Sequence, residues 1–461
     1  MNSPLSGNSP SHRKQARPAG QSPRLAAFRV LSGMDAAETL DQALRHLDEH
    51  LTEPRDRHLA RELVLGCLRW QLRLDHIAAA YTRKPVASLS TESLTLLRLG
   101  LYQLLWLDGV PDHAAIHTTV ELAKQVTRAS LAGMVNAVLR RAQREPQRVV
   151  YPDRDQDAAA YLSLWYSHPR WLVERWLTRW GPERTEALLA ANNRPAPLFI
   201  AANTQRTTRD QLVAALEAAS VSVSPCQDAP EYLRVDHPER LFASQEYRDG
   251  LFFVQDIHAS LAVKLLTPVP GRRVLDLCSA PGGKTVQLGL AVRNSSPVYA
   301  ADLSRQRLSR VVHNRNRLAL DCIIPIVQNA YRPCLPAATF DHVLADVPCS
   351  GTGTMGRRPD IRWRRTAAQL PKLARRQLRI LESAFTLTSP GGILVYSTCS
   401  IESEENEMVI ERFLTRNPDA ELDCASAFFP SRSWAGRYIQ TLPGDEPGDG
   451  SFAARIRKRA S

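Results

Sequence analysis

Apolar residues recur along the first third of the chain at helical spacing. Leu40, Leu44, Leu47 and Leu51 fall at i, i+4, i+7 and i+11, which is one face of a helix, and Leu59, Leu63 and Leu68 continue the pattern after Pro54. Residues 94–107 (LTLLRLGLYQLLWL) are apolar nearly all round, which predicts a central, buried helix. A further helix is expected after Pro111, and Leu131, Val135, Val138 and Leu139 mark a last one over 131–141. Such leucine stripes describe packing and carry no chemistry of their own. Pro146, Pro152 and Pro169 then punctuate a connection. A helix over 170–192, an apolar run LFIAA at 198–202, a helix over 208–219 and a strand near 231–235 predict a small α+β module.

From about residue 251 the texture changes. Short apolar runs alternate with helix-length segments: RVLDLC (273–278), PVYAAD (297–302), IIPIVQ (323–328), DHVLAD (341–346) and GILVYST (392–398). Continuous apolar strands alternating with helices predict a parallel sheet covered on both faces, a doubly wound α/β domain whose ligands bind at the carboxyl ends of the strands. The expected architecture is multidomain: a basic, disordered tail over 1–23, a helical domain over 24–145, a linker and small α+β module over 146–250, and a Rossmann-like α/β domain over 251–461.

Composition narrows the class. The 461 residues are 44% hydrophobic and 23% charged, ordinary values for a globular protein with real cores. Lys and Arg exceed Asp and Glu by 59 to 47, and a surplus of +12 favours a polyanionic partner such as nucleic acid. The eight cysteines form no CxxC pair and no ligand spacing, which argues against a zinc site or a disulfide framework and for a reducing, cytoplasmic setting. No apolar run approaches the length that spans a bilayer, and the N-terminus has no secretory core. The expectation is a protein with no metal and no membrane partner, acting as a monomer.

The chemistry gathers at the predicted strand ends. Leu275 to Thr285 reads LDLCSAPGGKT, a glycine-containing turn between a strand and a helix. It is not a phosphate-binding P-loop, because Cys278 stands where that motif needs glycine, and it contains no GxGxxG fingerprint. Asp302 ends the second strand, 19 residues beyond Gly283, where an acid accepts hydrogen bonds from ribose hydroxyls; Asp346 ends a later strand at the same edge. A glycine turn and two acids suit S-adenosylmethionine, a nucleoside without phosphate. Two cysteines follow successive strands, Cys349 in DVPCSG and Cys399 in YSTCS. A thiolate that adds to carbon 6 of a pyrimidine makes carbon 5 nucleophilic, and an acid near N3, here Asp346, assists the addition. Glu402, Glu404 and Glu405 read as ordinary first-turn charges of a helix starting near Ser403.

LDLCSAPGGKT, DVPCSGTGTMGRRPDIRW (346–363) and YSTCS resemble, in order, the motifs of the RNA cytosine-C5 methyltransferases. The resemblance implies Cys399 as nucleophile and Cys349 as the thiol that aids product release. It implies cofactor contacts at Cys278, Ser279, Ala280, Pro281, Gly282, Gly283, Lys284, Asp302 and Asp346. Asn329 stands where that family has a third acid. Upstream, ARELVLGCLRWQLRLD, LLRLGLYQLLWLDGVPDHAAIHTTVELAK and GMVNAVLRR are similar to NusB-like RNA-binding domains, with His117 where such domains often carry Asn. This fusion is the arrangement of the bacterial 16S ribosomal RNA cytosine-C5 methyltransferases, which implies S-adenosylmethionine as cofactor and 16S ribosomal RNA as partner, with the target cytosine unstacked.

Nine Arg or Lys and one acid lie between Arg357 and Arg379. Arg357, Arg358, Asp360, Arg362 and Trp363 form the expected RNA-binding segment, with guanidinium forks for phosphates and an indole face for a base. The stretch 455–459 reads as a basic end. Two other readings stand beside this one. A DNA cytosine-C5 methyltransferase would use Cys349 as nucleophile, and an RNA-binding assembly factor would carry a vestigial catalytic domain.

Overall fold

The computed structural model describes residues 22–34, 39–226, 229–238 and 240–460; the expected tail over 1–23 lies outside them except for Ser22 and Pro23. The chain divides into two compact units, 1–150 and 151–461. The first is helical. Thr39 caps the helix Leu40–His50 through a reciprocal pairing with Gln42, and Leu40, Leu44 and Leu47 face inward. Thr91–Trp106 is buried along most of its surface, as its pattern predicts, and the helices Asp112–Val126 and Ala129–Arg144 complete the bundle.

The second unit holds two sheets. Strands β1 (Leu198–Ala202), β2 (Val223–Pro225), β3 (Tyr232–Val235) and β4 (Phe252–Val254) form an antiparallel sheet in the order β2-β3-β1-β4. Here the expected boundary at 251 moves. Phe252 pairs with Ala202 and Val254 with Ile200, so this run belongs to the small module. A three-residue strand carries no period that tells which of two sheets it joins.

The larger sheet is built from β5 (Val274–Asp276), β6 (Val298–Asp302), β7 (Ile323–Val327), β8 (Phe340–Asp346), β9 (Thr388–Thr398), β10 (Ala420–Asp423), β11 (Ile439–Thr441) and β12 (Ser451–Lys458). Its order is β10-β12-β9-β8-β5-β6-β7, with β11 on β12. The five strands foreseen from sequence, β5 to β9, run parallel; β10 to β12 add an antiparallel side. Val274, Val286, Val298 and Val311 pack on one face, and Leu275, Val343, Leu378 and Leu381 on the other, as a doubly wound sheet requires. The chain leaves β5 for β6 and β7 on one side and returns to β8 and β9 on the other. That reversal opens a crevice at the carboxyl ends of the central strands.

The stretch 455–459 is not a loose basic end. Arg455 is 6% exposed in β12, donates to the carbonyls of Leu265 and Leu266, and pairs with Asp423 at 3.0 Å. Alternation in FAARIRK places Phe452, Ala454 and Ile456 in the core, while the arginines mask the strand's apolar count.

Candidate active site

The turn after β5 brings backbone close to the crevice. Gly282 has φ +111°, which strains any residue with a side chain, and a Cβ there would crowd Val311 at 3.3 Å. Ser279 N–H donates to Ala301 O at 2.8 Å. Asp302, 4% exposed at the end of β6, accepts from Ser304 N–H at 2.9 Å and Ala280 N–H at 3.3 Å and lies 3.6 Å from Arg307. Burial raises the Cys278 thiol well above its usual range. Asp276, 1% exposed beneath the turn, accepts from Thr285 at 2.7 Å, and burial pushes its carboxyl up to about 7.

At the end of β7 the structure distinguishes two neighbours. Asn329 is exposed, and its side chain caps the Tyr331 N–H at 2.9 Å. Gln328 is 5% exposed, and its Nε2 has no hydrogen-bond partner among the described residues; Ser279 Oγ is likewise buried and unsatisfied. Buried polar atoms without partners are costly, so both fit a crevice that takes a polar ligand. Gln328 escaped the sequence reading because an amide inside a strand end has no motif to mark it.

Asp346 ends β8. It pairs with Lys284 Nζ at 2.7 Å and accepts from Ser397 Oγ at 2.6 Å. Burial disfavours the Lys284 ammonium, but the charge and hydrogen bond of Asp346 outweigh it, and the net shift is upward. The two cysteines meet beside this pair: Cys349 Sγ and Cys399 Sγ are 3.2 Å apart, each partly exposed. The Cys399 thiol is lowered, first by the hydrogen bond from Cys349, against burial, with Lys284 and Arg358 adding positive potential. The Cys349 thiol is raised well above its usual range by donating that bond, by burial and by the negative charges of Glu405 and Asp346. Of the two, Cys399 is the thiol whose surroundings favour the ionised form.

The glutamates after β9 are not the first-turn charges that the sequence suggested. Ser403–Glu405 is a 3-10 turn, the α-helix begins at Glu407, and Glu402 and Glu405 are 2% and 0% exposed. Glu402 accepts from Trp176 Nε1 at 3.1 Å and pairs with Arg175; burial nevertheless raises its carboxyl. Glu405 accepts from Ser350 N–H at 2.8 Å, Gln377 Nε2 at 2.7 Å and Ser400 Oγ at 2.6 Å. Gly353 lies against Gly450, where a Cβ would come within 2.3 Å of a carbonyl oxygen.

The arginine-rich segment is divided by burial. Arg362 is 0% exposed and donates to Asn193 Oδ1 and Asn192 O at 2.7 Å and to Ser167 O at 3.2 Å. Arg357 bridges Asp256 and Asp449 at 2.7 and 2.6 Å, and Asp360 is buried within 3.7 Å of Arg364. Arg362 and Asp360 are buried and Arg357, half-buried, spends its guanidinium on two carboxylates, which corrects their expected place on an RNA surface: an engaged guanidinium offers no free fork to a phosphate. Arg358 is exposed and Trp363 half-buried. The helical unit separately carries an open groove of about 700 Å³ whose lining includes His113, His117, Lys124, Asn136 and Arg140.

Comparison with known proteins agrees with this geometry. Residues 263–457 match the description "16S rRNA methyltransferase RsmB/F", residues 21–144 the NusB family, and residues 168–241 the ferredoxin-like domain of RsmF/B-like methyltransferases. Ribosomal RNA small subunit methyltransferase B of Escherichia coli (strain SMS-3-5 / SECEC) is 35% identical over 436 residues, covering 94% of this chain and 98% of its own. The chain belongs to the RsmB family of methyltransferases. The same enzyme of Shigella boydii serotype 4 (strain Sb227) is also 35% identical over 94% of the chain. Among solved structures, PH0851 superposes with a TM-score of 0.79 at 25% identity, over 95% of this chain and 99% of its own. A methyltransferase homolog from Pyrococcus horikoshii gives 0.55 at 29% identity, over 65% of this chain and 99% of its own. The RsmB-family architecture accounts for the order of the three folded parts. Among the described residues, no helix is long and apolar enough to cross a membrane and no cluster of His, Cys, Asp and Glu could hold a metal.

Proposed function

We propose that this enzyme methylates carbon 5 of a cytosine in 16S ribosomal RNA, using S-adenosylmethionine and a covalent adduct between Cys399 and carbon 6, in the cytoplasm. The carrying observation is the thiol pair at 3.2 Å beside Asp346 and Lys284, at the carboxyl edge of the sheet. S-adenosylmethionine, when bound, supplies an electrophilic sulfonium methyl group. The turn Cys278, Ser279, Ala280, Pro281, Gly282 and Gly283 would hold it, together with Lys284, Asp302, Asp346 and, at the β7 end, Gln328 or Asn329. The unsatisfied Ser279 Oγ and Gln328 Nε2 support that assignment.

Cys399, favoured as thiolate, adds to carbon 6 and breaks the ring's aromaticity. Asp346, with the Lys284 ammonium 2.7 Å away as its proton source, would face N3 and pass on the proton that neutralises the charge developing there. Carbon 5 then has enamine character and becomes the nucleophile. Once carbon 5 carries the methyl group, Cys349 serves the later step: having passed its own proton to solvent, it takes the proton from carbon 5, the Cys399–carbon 6 bond breaks with Cys399 leaving as thiolate, and the proton on N3 returns to Asp346, which restores the aromatic ring. The positive charges of Lys284 and Arg358 near Cys399, against the negative charge of Glu405 near Cys349, favour Cys399 as nucleophile, against the DNA-enzyme pattern. Arg358, which is exposed, and Trp363, which is half-buried, would meet RNA, and the helical unit adds affinity.

Two variants test the assignment on one denaturing gel with RNA and cofactor. Cys399→Ala should turn over nothing and trap nothing. Cys349→Ala should accumulate a protein–RNA species that survives denaturation. An adduct from Cys399→Ala with none from Cys349→Ala would reverse the roles, and mass spectrometry of the product nucleoside identifies the methylated carbon.

A further inference from the structure

Glu405 touches neither sulfur, yet it is tied to the turns that carry both. Ser350, which donates its N–H to Oε1, follows Cys349; Ser400, which donates its hydroxyl to Oε2, follows Cys399. The two serine hydroxyls lie 3.0 Å apart, and Gln377 Nε2 closes the arrangement by reaching Glu405 at 2.7 Å and Pro348 O at 3.0 Å. From behind, Tyr396 O–H donates to the Glu405 carbonyl at 2.5 Å. Glu405 and Gln377 are both 0% exposed.

All the side-chain partners of this carboxylate are neutral donors, and no cation pairs with it among the described residues. A buried carboxylate held this way keeps its negative potential, which low dielectric strengthens. That potential acts on Cys349, whereas the positive charges of Lys284 and Arg358 act on Cys399. Asp346 opposes ionisation at both thiols and so does not choose between them. Glu405, bonded to the residue after Cys349, thus adds negative potential at Cys349, while Lys284 and Arg358 add positive potential at Cys399.

From this arrangement we infer that Glu405 is a positioning residue: it locks the two cysteine turns together and sets the sense of the sulfur–sulfur hydrogen bond, with Cys349 as donor and Cys399 as acceptor. The inference rests on the roles given to the two thiols above, but it can be read without RNA or cofactor. No bond is made or broken by Glu405 itself.

The test is competitive alkylation of the full-length protein by iodoacetamide across pH, with each cysteine quantified by peptide mass spectrometry. The wild-type protein should alkylate Cys399 in preference to Cys349. In Glu405→Gln, which keeps the size but removes the charge, the negative potential on Cys349 is gone. Thiolate should then be shared, and the Cys349 to Cys399 ratio should rise about tenfold, the equivalent of one pH unit in relative acidity. Total reactivity should not fall, because removing a negative neighbour eases ionisation of the pair. A folded variant with an unchanged ratio overturns the inference, as does equal acceleration at both thiols, which signals only loosened packing. If Glu405→Gln does not fold, Gln377→Glu, which sets a second carboxylate against Glu405 and favours its protonation, also removes charge there and is judged by the same ratio. A changed ratio in an enzyme whose product is not 5-methylcytosine would uphold Glu405 and overturn the proposed reaction instead.

Discussion

Arg362 separates a structural arginine from an RNA-binding one, and its replacement gives the two roles opposite signatures. The side chain is fully buried and makes three hydrogen bonds, to Asn193 Oδ1, Asn192 O and Ser167 O. Hydrogen bonds from a charged donor contribute about 1.5–3 kcal/mol each, which sets a ceiling. Part of that is offset because the variant no longer buries a guanidinium. Arg362→Ala leaves no unpaired charge but strands three buried or part-buried carbonyl acceptors at about 1–3 kcal/mol each, and the saving on guanidinium burial brings the net to about 3–5 kcal/mol. Residues 151–461 form the compact unit that contains Arg362. With an unfolding entropy of about 2.1 cal/mol/K per residue, Arg362→Ala should lower the Tm of that unit by roughly 5–8 °C. Arg362→Lys, which keeps the charge and loses the fork, should fall between. Differential scanning calorimetry measures this, and filter binding across a salt series below the transition completes it. A lost phosphate contact would flatten the slope of log K against log salt by about 0.7–1, whereas Arg362→Ala should leave the slope unchanged. An unchanged Tm with a flattened slope would return Arg362 to the RNA surface.

Asp302→Ala should weaken S-adenosylmethionine about 10- to 150-fold by calorimetry, from the loss of one charge-assisted hydrogen bond; unchanged affinity would remove Asp302 from the site. Gln328→Ala should weaken the same ligand more than Asn329→Ala does, because the Asn329 side chain is already engaged by Tyr331. Arg140→Ala, in the groove of the helical unit, should reduce RNA affinity and salt slope while leaving the rate at saturating RNA intact. Asp276 has a folded-state carboxyl raised to about 7 from 3.8, so its contribution to stability is lost as pH rises from about 4 to 7. Asp276→Asn can still accept from Thr285, and it should flatten that part of the stability–pH curve in urea melts at successive pH values.

The parallel core was legible because burial on both faces leaves strands such as VLD and VYAAD with almost no polar residue, and the turn after β5 because Gly282 and its neighbours stand in a readable order. The cysteines and the acids at strand ends were legible because chemistry restricts residue type there. What escaped has a common physical cause: charge hidden by partners that are distant in sequence. Arg362 is matched by residues near 167 and 193, Arg357 by Asp256 and Asp449, and Glu405 by Ser350, Gln377 and Ser400. Local pattern treats all of these as surface. β12 was missed for a related reason, since its arginines disguise an alternating strand.

β12 also sets a schedule. It pairs with β9 along six residues and on its other edge with β10, although it lies after both in the chain. Until Ser451–Lys458 has left the ribosome, β9, whose end carries Cys399, is an open sheet edge of the kind that recruits stray strands. The loop before β12 also brings Asp449 to Arg357 and Gly450 to Gly353, so the Cys349 segment lacks its braces for the same interval. A nascent chain could form the crevice long before it could align the two thiols. Reactive sulfur would then be assembled last, on a sheet already closed, by a strand pairing of long sequence separation that is slow to form.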